Sequence, residues 1–243
     1  MNFKYLFLSS SKMRIEHILS QNNYTEDAMF WSELYDDNHH SSFYFSSLAL
    51  NELKNTEDVI DRAYQILSIY EGIFKLCERR YEKYFSLDSL YNYETKKSIQ
   101  LRINEPELYR IDFDISKLKN INKTYNPAYD LFANIIKDEY LTNLFFLLSR
   151  KLDYKLLYMV YDDIRYYLQK EGDRKFLKEF ESKLKNFTHT ANNYEVLGYF
   201  ARHGRTVQKP PKNKMDLETS KILIFSIIEK LLVEKFNISI PKL

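Results

Sequence analysis

The stretch FTHTANNYEVLGYFARHGRTVQKPPKNK (Phe187–Lys214), followed by the apolar run MDLETSKILIFSIIEKLLVEKF (Met215–Phe236), decides the reading of this chain. The first part gathers His189, His203, Pro210 and Pro211 with Arg202, Arg205, Lys209, Lys212 and Lys214, and no acid lies between Arg202 and Lys214. The second part spaces Leu217, Ile222, Ile224, Phe225, Ile228, Leu231 and Leu232 behind Asp216, a good N-cap, and so predicts a terminal helix. Its apolar face is broad, which suits the centre of a bundle or one half of a dimer seam.

Upstream of that stretch the chain reads as helix back to Pro127. Leu131, Ile135 and Ile136 mark a helix over 127–138, and the apolar run 141–148 should be buried on most sides. Asp153 caps a helix over 154–170, whose core face is Leu156, Leu157, Val160, Ile164 and Leu168; Gly172 then ends it in the left-handed region. A shorter charged helix is expected over 173–185, with Phe176, Leu177, Phe180 and Leu184 inward. FTHTANN then reads as a structured turn anchored by Phe187, because Thr and Asn favour caps and turns.

The front of the chain is more mixed. Short strands are expected around Phe3–Leu8 and Phe43–Phe45, with a short helix over Thr25–Tyr35 between them. His39 and His40 read as a solvated loop pair. Asn55 or Thr56 opens a long helix with the stripe Val59, Ile60, Ala63, Ile66, Leu67, Tyr70, Phe74 and Cys77. Alternation over 98–103 and again over 109–115, with Pro106 between, predicts an antiparallel hairpin with one buried face and with Asp112 and Asp114 outward. The fold class expected is therefore mainly α: a helical bundle over 123–243, behind a mixed α/β part over 1–122 that contains a small β-hairpin.

Composition narrows the function classes. The chain has 243 residues and a net charge of +2, too near neutral to imply nucleic acid by itself. Aromatic residues make up 16%, most simply an effect of AT-rich codons. Cys77 is the single cysteine, which excludes an internal disulfide and a cysteine metal cluster and fits a reducing cytoplasm. The N-terminal apolar patch is too short for a secretory signal, and nothing approaches a membrane span. No Gly-rich phosphate loop, GxSxG, HExxH or CxxC occurs, so no cofactor and no metal is expected.

The chemistry-bearing residues sit in the opening stretch. A helix ending near His203, with Gly204 as its C-cap, would leave Arg202 and His203 at an exposed helix end. Arg binds phosphate in a bidentate fork, and His exchanges protons near neutral pH. With His189 in support, these residues would suffice for metal-independent RNA cleavage. The other reading has Arg202 and His203 tying down the loop that follows them. Arg205 and Lys209 are candidate phosphate holders, with Thr190 and Asn192 as ligand-binding or capping residues. The Pro210-Pro211 pair makes the basic loop stiff.

These same residues carry a resemblance. Asp153–Arg165, Phe187–Asn192, Gly198, Ala201–Gly204, Pro210–Asn213 and Met215–Leu217 resemble a bacterial family with a helical rear half and an FTHTAN…G…ARH…PPKNPM tail; the likeness covers roughly residues 127–236. More loosely, the rear half is similar to the HEPN class of helical bundles, which often dimerise and include RNA-cleaving toxins and phage-defence components. That resemblance implies RNA or nucleotide as the target and a homodimer or a partner protein as the assembly. The HEPN motif places His four to six residues after Arg, whereas Arg202 and His203 here are adjacent. The reading that follows is an RNA-directed HEPN-like protein, an endoribonuclease or else a non-catalytic accessory subunit whose ARHG motif is structural.

Overall fold

Alternation of Tyr5, Phe7 and Ser9, all buried, with outward Leu6, Leu8 and Ser10 makes β1 (Tyr5–Ser10) the middle of an antiparallel sheet. The computed structural model describes residues 3–20, 28–34, 41–101, 108, 110–114, 118, 126–173, 175–204 and 209–241. Contacts divide the chain into two units, Met1–Ser149 with Pro241–Leu243, and Arg150–Ile240.

In the first unit the five strands run in the order β2 (Met29–Leu34), β3 (Ser41–Ser46), β1, β4 (Ser86–Asn92) and β5 (Lys97–Gln100), every neighbouring pair antiparallel. Its helices are α1 (Met13–Ser20), α2 (Thr56–Glu78), α3 (Pro127–Ile135) and α4 (Glu139–Leu148). Phe30 of β2 meets Tyr70 of α2 edge-on at 5.2 Å, and Tyr70 stacks on Phe132 of α3 at 4.2 Å. These rings join sheet and helices into one core. Asn55 caps α2 by accepting from the Glu57 N–H at 3.0 Å. Gly72 sits where α2 meets α4: a Cβ there would come within 2.3 Å of the Phe145 carbonyl oxygen.

A charged pair is buried in the same core. Glu71 is 6% exposed and Lys75 2%, and their closest atoms are 3.6 Å apart. The Glu71 carboxylate accepts from the Tyr84 and Phe85 N–H groups, at 2.9 and 3.3 Å, while Lys75 Nζ donates to the Ser149 carbonyl at 2.6 Å. Burial is the largest influence on the Glu71 carboxyl and pushes its pKa up; Lys75 and the two amides pull the other way.

The second unit holds α5 (Tyr154–Lys170), α6 (Glu181–Asn192), the short α7 (Tyr194–Leu197) and α8 (Leu217–Phe236). Asp153 caps α5 by accepting from the Leu156 N–H at 2.9 Å, and Asp216 caps α8 by accepting from the Thr219 N–H at 2.8 Å. Gly172, with φ +73°, follows the end of α5. Ile224, Phe225, Ile227, Ile228, Leu231 and Leu232 of α8 are fully buried and form one broad face, while Ile222 and Val233 on the other side are exposed.

Several expectations are corrected. The chain is not mainly α with a small hairpin: a five-stranded antiparallel sheet stands beside the helices, making it mixed α/β. Residues 29–34 are strand rather than helix, because each pairs with a β3 residue, Met29 with Ser46 through Leu34 with Ser41. The hairpin is formed by β4 and β5, and all of β5 is exposed, Ile99 by 42%. The described residues 110–114 are not strand; there the Gln65 side chain does the pairing, accepting from the Asp112 N–H at 3.0 Å and donating to Asp112 Oδ1 at 2.7 Å. Residues 178–180 form a single 3-10 turn, and the helix runs from 181 through FTHTAN. His39 and His40 lie outside the described residues.

Candidate functional site

Phe187 explains why FTHTAN is helical. Its ring is fully buried and meets Tyr158 and Tyr161 of α5 at 6.1 and 6.4 Å, and Ala191, one turn later, is fully buried as well. Packing of that face overrides the turn preference of the Thr and Asn residues. Three successive residues of α6 are then left to meet the segment that follows. His189 Nε2 lies 2.9 Å from the Lys209 carbonyl, Thr190 Oγ1 accepts from the Met215 N–H at 3.1 Å, and the Ala191 carbonyl accepts from the Arg202 N–H at 2.8 Å. A carbonyl can only accept, so the His189 proton is on Nε2.

Arg202 is held a second time through its side chain. Its guanidinium carbon lies 4.1 Å from the centre of the Tyr158 ring, and Nη2 lies 3.2 Å from Asp162 Oδ2. Tyr158 and Asp162 are four residues apart on α5 and so share a face. Asp162 also pairs with Arg165 at 3.0 Å. The Arg202 side chain remains 38% exposed, so the ion pair and the ring contact each contribute on the order of 1 kcal/mol or less. His203 is exposed, with Nε2 3.5 Å from Arg202 Nη1, the outer limit of a hydrogen bond.

The candidate residues therefore fall into distinct settings. Arg202 and His203 are adjacent in space, and His189 is bonded to Lys209. Thr190 is fully buried as an acceptor for the backbone of Met215. Asn192 Oδ1 is buried without a hydrogen-bond partner among the described residues. Arg205 lies outside the described residues. No helix ends at His203: a 3-10 turn closes at Phe200, residues 201–204 form a bend, and Gly204 does not adopt a positive φ. Lys209, Pro210, Lys212, Asn213 and Lys214 are exposed around the buried Pro211.

Sequence reasoning missed two features. Tyr158 and Asp162 hold Arg202 from forty residues away, and nothing local to either residue announces that partnership. Tyr199 and Phe200 stand out in solvent, 87% and 64% exposed, beside the Arg202-His203 pair. Adjacency to a basic pair was the available signal for them. Among the described residues no helix is long and apolar enough to cross a membrane. No protein-family model, curated protein or solved structure matches this chain.

Proposed function

We propose that the second unit carries a surface for single-stranded RNA and holds it without cutting it. The observation that carries the reading is the run Tyr199-Phe200-Ala201-Arg202-His203, in which two solvent-exposed aromatic side chains stand within four residues of an exposed guanidinium and imidazole. Bases stack on exposed rings for roughly 1–3 kcal/mol each, and cations track the phosphates beside them. Lys209, Lys212 and Lys214 add charge on a segment that His189 and Thr190 fasten to α6.

Binding is favoured over cleavage by the partners of the three catalytic candidates. His189 Nε2 is engaged with the Lys209 carbonyl, and the Arg202 guanidinium is shared between Asp162 and Tyr158. In this reading the ARHG motif is non-catalytic, as in an accessory subunit: Arg202 fastens the segment and its exposed part, with His203, lends charge to the surface. The cytoplasmic, toxin or phage-defence setting and the homodimer expected above belong to the same reading.

The test is fluorescence anisotropy of a labelled single-stranded RNA over a range of salt. Salt-sensitive binding, weakened about tenfold or more by Tyr199→Ala with Phe200→Ala, is expected. Absence of binding at low salt sinks the proposal. RNA cut by the wild type and left whole by His203→Ala would replace binding with catalysis.

A further inference from the structure

A second basic site lies on another side of α6. A cavity of about 530 Å³ is lined by Tyr161 of α5, by Lys175, Leu177 and Lys178, and by Glu181, Leu184, Lys185 and Thr188 of α6. That volume falls in the range of small-molecule pockets, roughly 300–1,000 Å³. Three ammonium groups face one carboxylate, so the lining carries an excess of positive charge. Three lysines elsewhere in this unit are paired, Lys221 with Glu218, Lys230 with Glu179 and Lys235 with Asp173. Lys175, Lys178 and Lys185 have no such ion pair among the described residues. Three ammonium groups around a concave site that holds one carboxylate leave an excess of like charge, and an anion relieves the repulsion.

The rest of the lining is apolar. The Leu184 side chain is buried, and the Tyr161 ring, 9% exposed, adds an aromatic wall. Burial is the largest influence on the Tyr161 hydroxyl and pushes its pKa up, so the group stays neutral alongside the lysines. Thr188 Oγ1 donates to the Lys185 carbonyl at 3.2 Å.

We infer that this cavity binds a small phosphate monoester with an aromatic body, the phosphate meeting Lys175, Lys178 and Lys185 and the ring lying against Leu177, Leu184 and Tyr161. The inference is independent of the RNA surface, since it shares none of Tyr199, Phe200, Arg202 or His203.

Isothermal titration of the full chain with phenyl phosphate, inorganic phosphate and phenol tests it. Phenyl phosphate should bind at one site, at least about tenfold more tightly than either fragment. Lys178→Glu with Lys185→Glu should weaken it about tenfold or more, Lys178→Gln should weaken it less, and Lys212→Glu should leave it unchanged. Far-ultraviolet circular dichroism checks that each variant is folded, and Lys178→Gln carries the test alone if the double variant is not. No binding, binding indifferent to Lys178, or inorganic phosphate bound as tightly as phenyl phosphate would each overturn the inference. Short oligonucleotides with a 5′-phosphate or a 5′-hydroxyl separate the sources. Displacement of phenyl phosphate by the first alone assigns the site to an RNA end, and displacement by neither assigns it to a free metabolite.

Discussion

The first unit is held from the inside and the second is fastened at its margin. Around Phe30, Tyr70 and Phe132 the rings of sheet and helices interlock, and even the charged groups there, Glu71 and Lys75, are buried with partners on separate segments. In the second unit the segment after α6 is attached by single hydrogen bonds to His189, Thr190 and Ala191, and by the half-exposed Arg202. The contrast shows that residues whose types read as chemistry can serve as fasteners. The His189 imidazole, the Thr190 hydroxyl and part of the Arg202 guanidinium are spent on backbone and carboxylate partners, which leaves exposed rings, His203 and lysines to meet other molecules.

The contrast can be broken or sharpened by substitution. Glu71→Ala should cost the most, about 3–5 kcal/mol in urea denaturation, because it leaves Lys75 buried without its carboxylate. A loss under about 1 kcal/mol would mean that the pair is not integral to the core. The carboxyl pKa is raised in the folded state, so folding favours the protonated form. Stability of the wild type relative to Glu71→Gln should therefore fall as pH rises from the ordinary glutamate range through the raised value. Gly72→Ala comes next, at about 1–3 kcal/mol, since the added methyl group would meet the α4 backbone.

Effects in the second unit should be smaller. Thr190→Val keeps the shape but strands the Met215 N–H, at a cost of about 1–2 kcal/mol read from the same denaturation. Arg202→Ala should cost about 1 kcal/mol or less, and a much larger loss would make Arg202 a core residue rather than a clip. Tyr199→Ala should shift stability by no more than about 0.5 kcal/mol while lowering RNA affinity. A large drop in melting temperature would show that the ring packs and is not free to bind.

What was legible in the sequence was local. Asn55, Asp153 and Asp216 announced the starts of α2, α5 and α8 because a cap acts on amides two or three residues away. β4 was hidden by a bulge: Ser89 faces Leu8 and Leu87 faces Ser9, so Asp88 has no opposite residue. The buried Leu87 and Leu90 then stand three apart and break the alternation that marks a strand. β2 depended on pairing with β3, the next strand in the chain, which tipped a short ambiguous run into the sheet. At the candidate site the residue types were legible and their roles were not. Whether His189 meets a carbonyl or a substrate is set by where Lys209 lands, and the exposure of Tyr199 and Phe200 is set by what fails to cover them.

The attachments at His189, Thr190 and Ala191 fall on consecutive residues of one helix, each turned about 100° from the last. Arg202, Lys209 and Met215 are thus tied to one helix end, and freeing one point leaves the other two, with the Tyr154 hydroxyl on the Met215 carbonyl, to guide the chain back. Excursions from the closed form are therefore concerted. The amide protons of Arg202 and Met215, though thirteen positions apart, should trade with deuterium at matching free energies, as members of one cooperative opening.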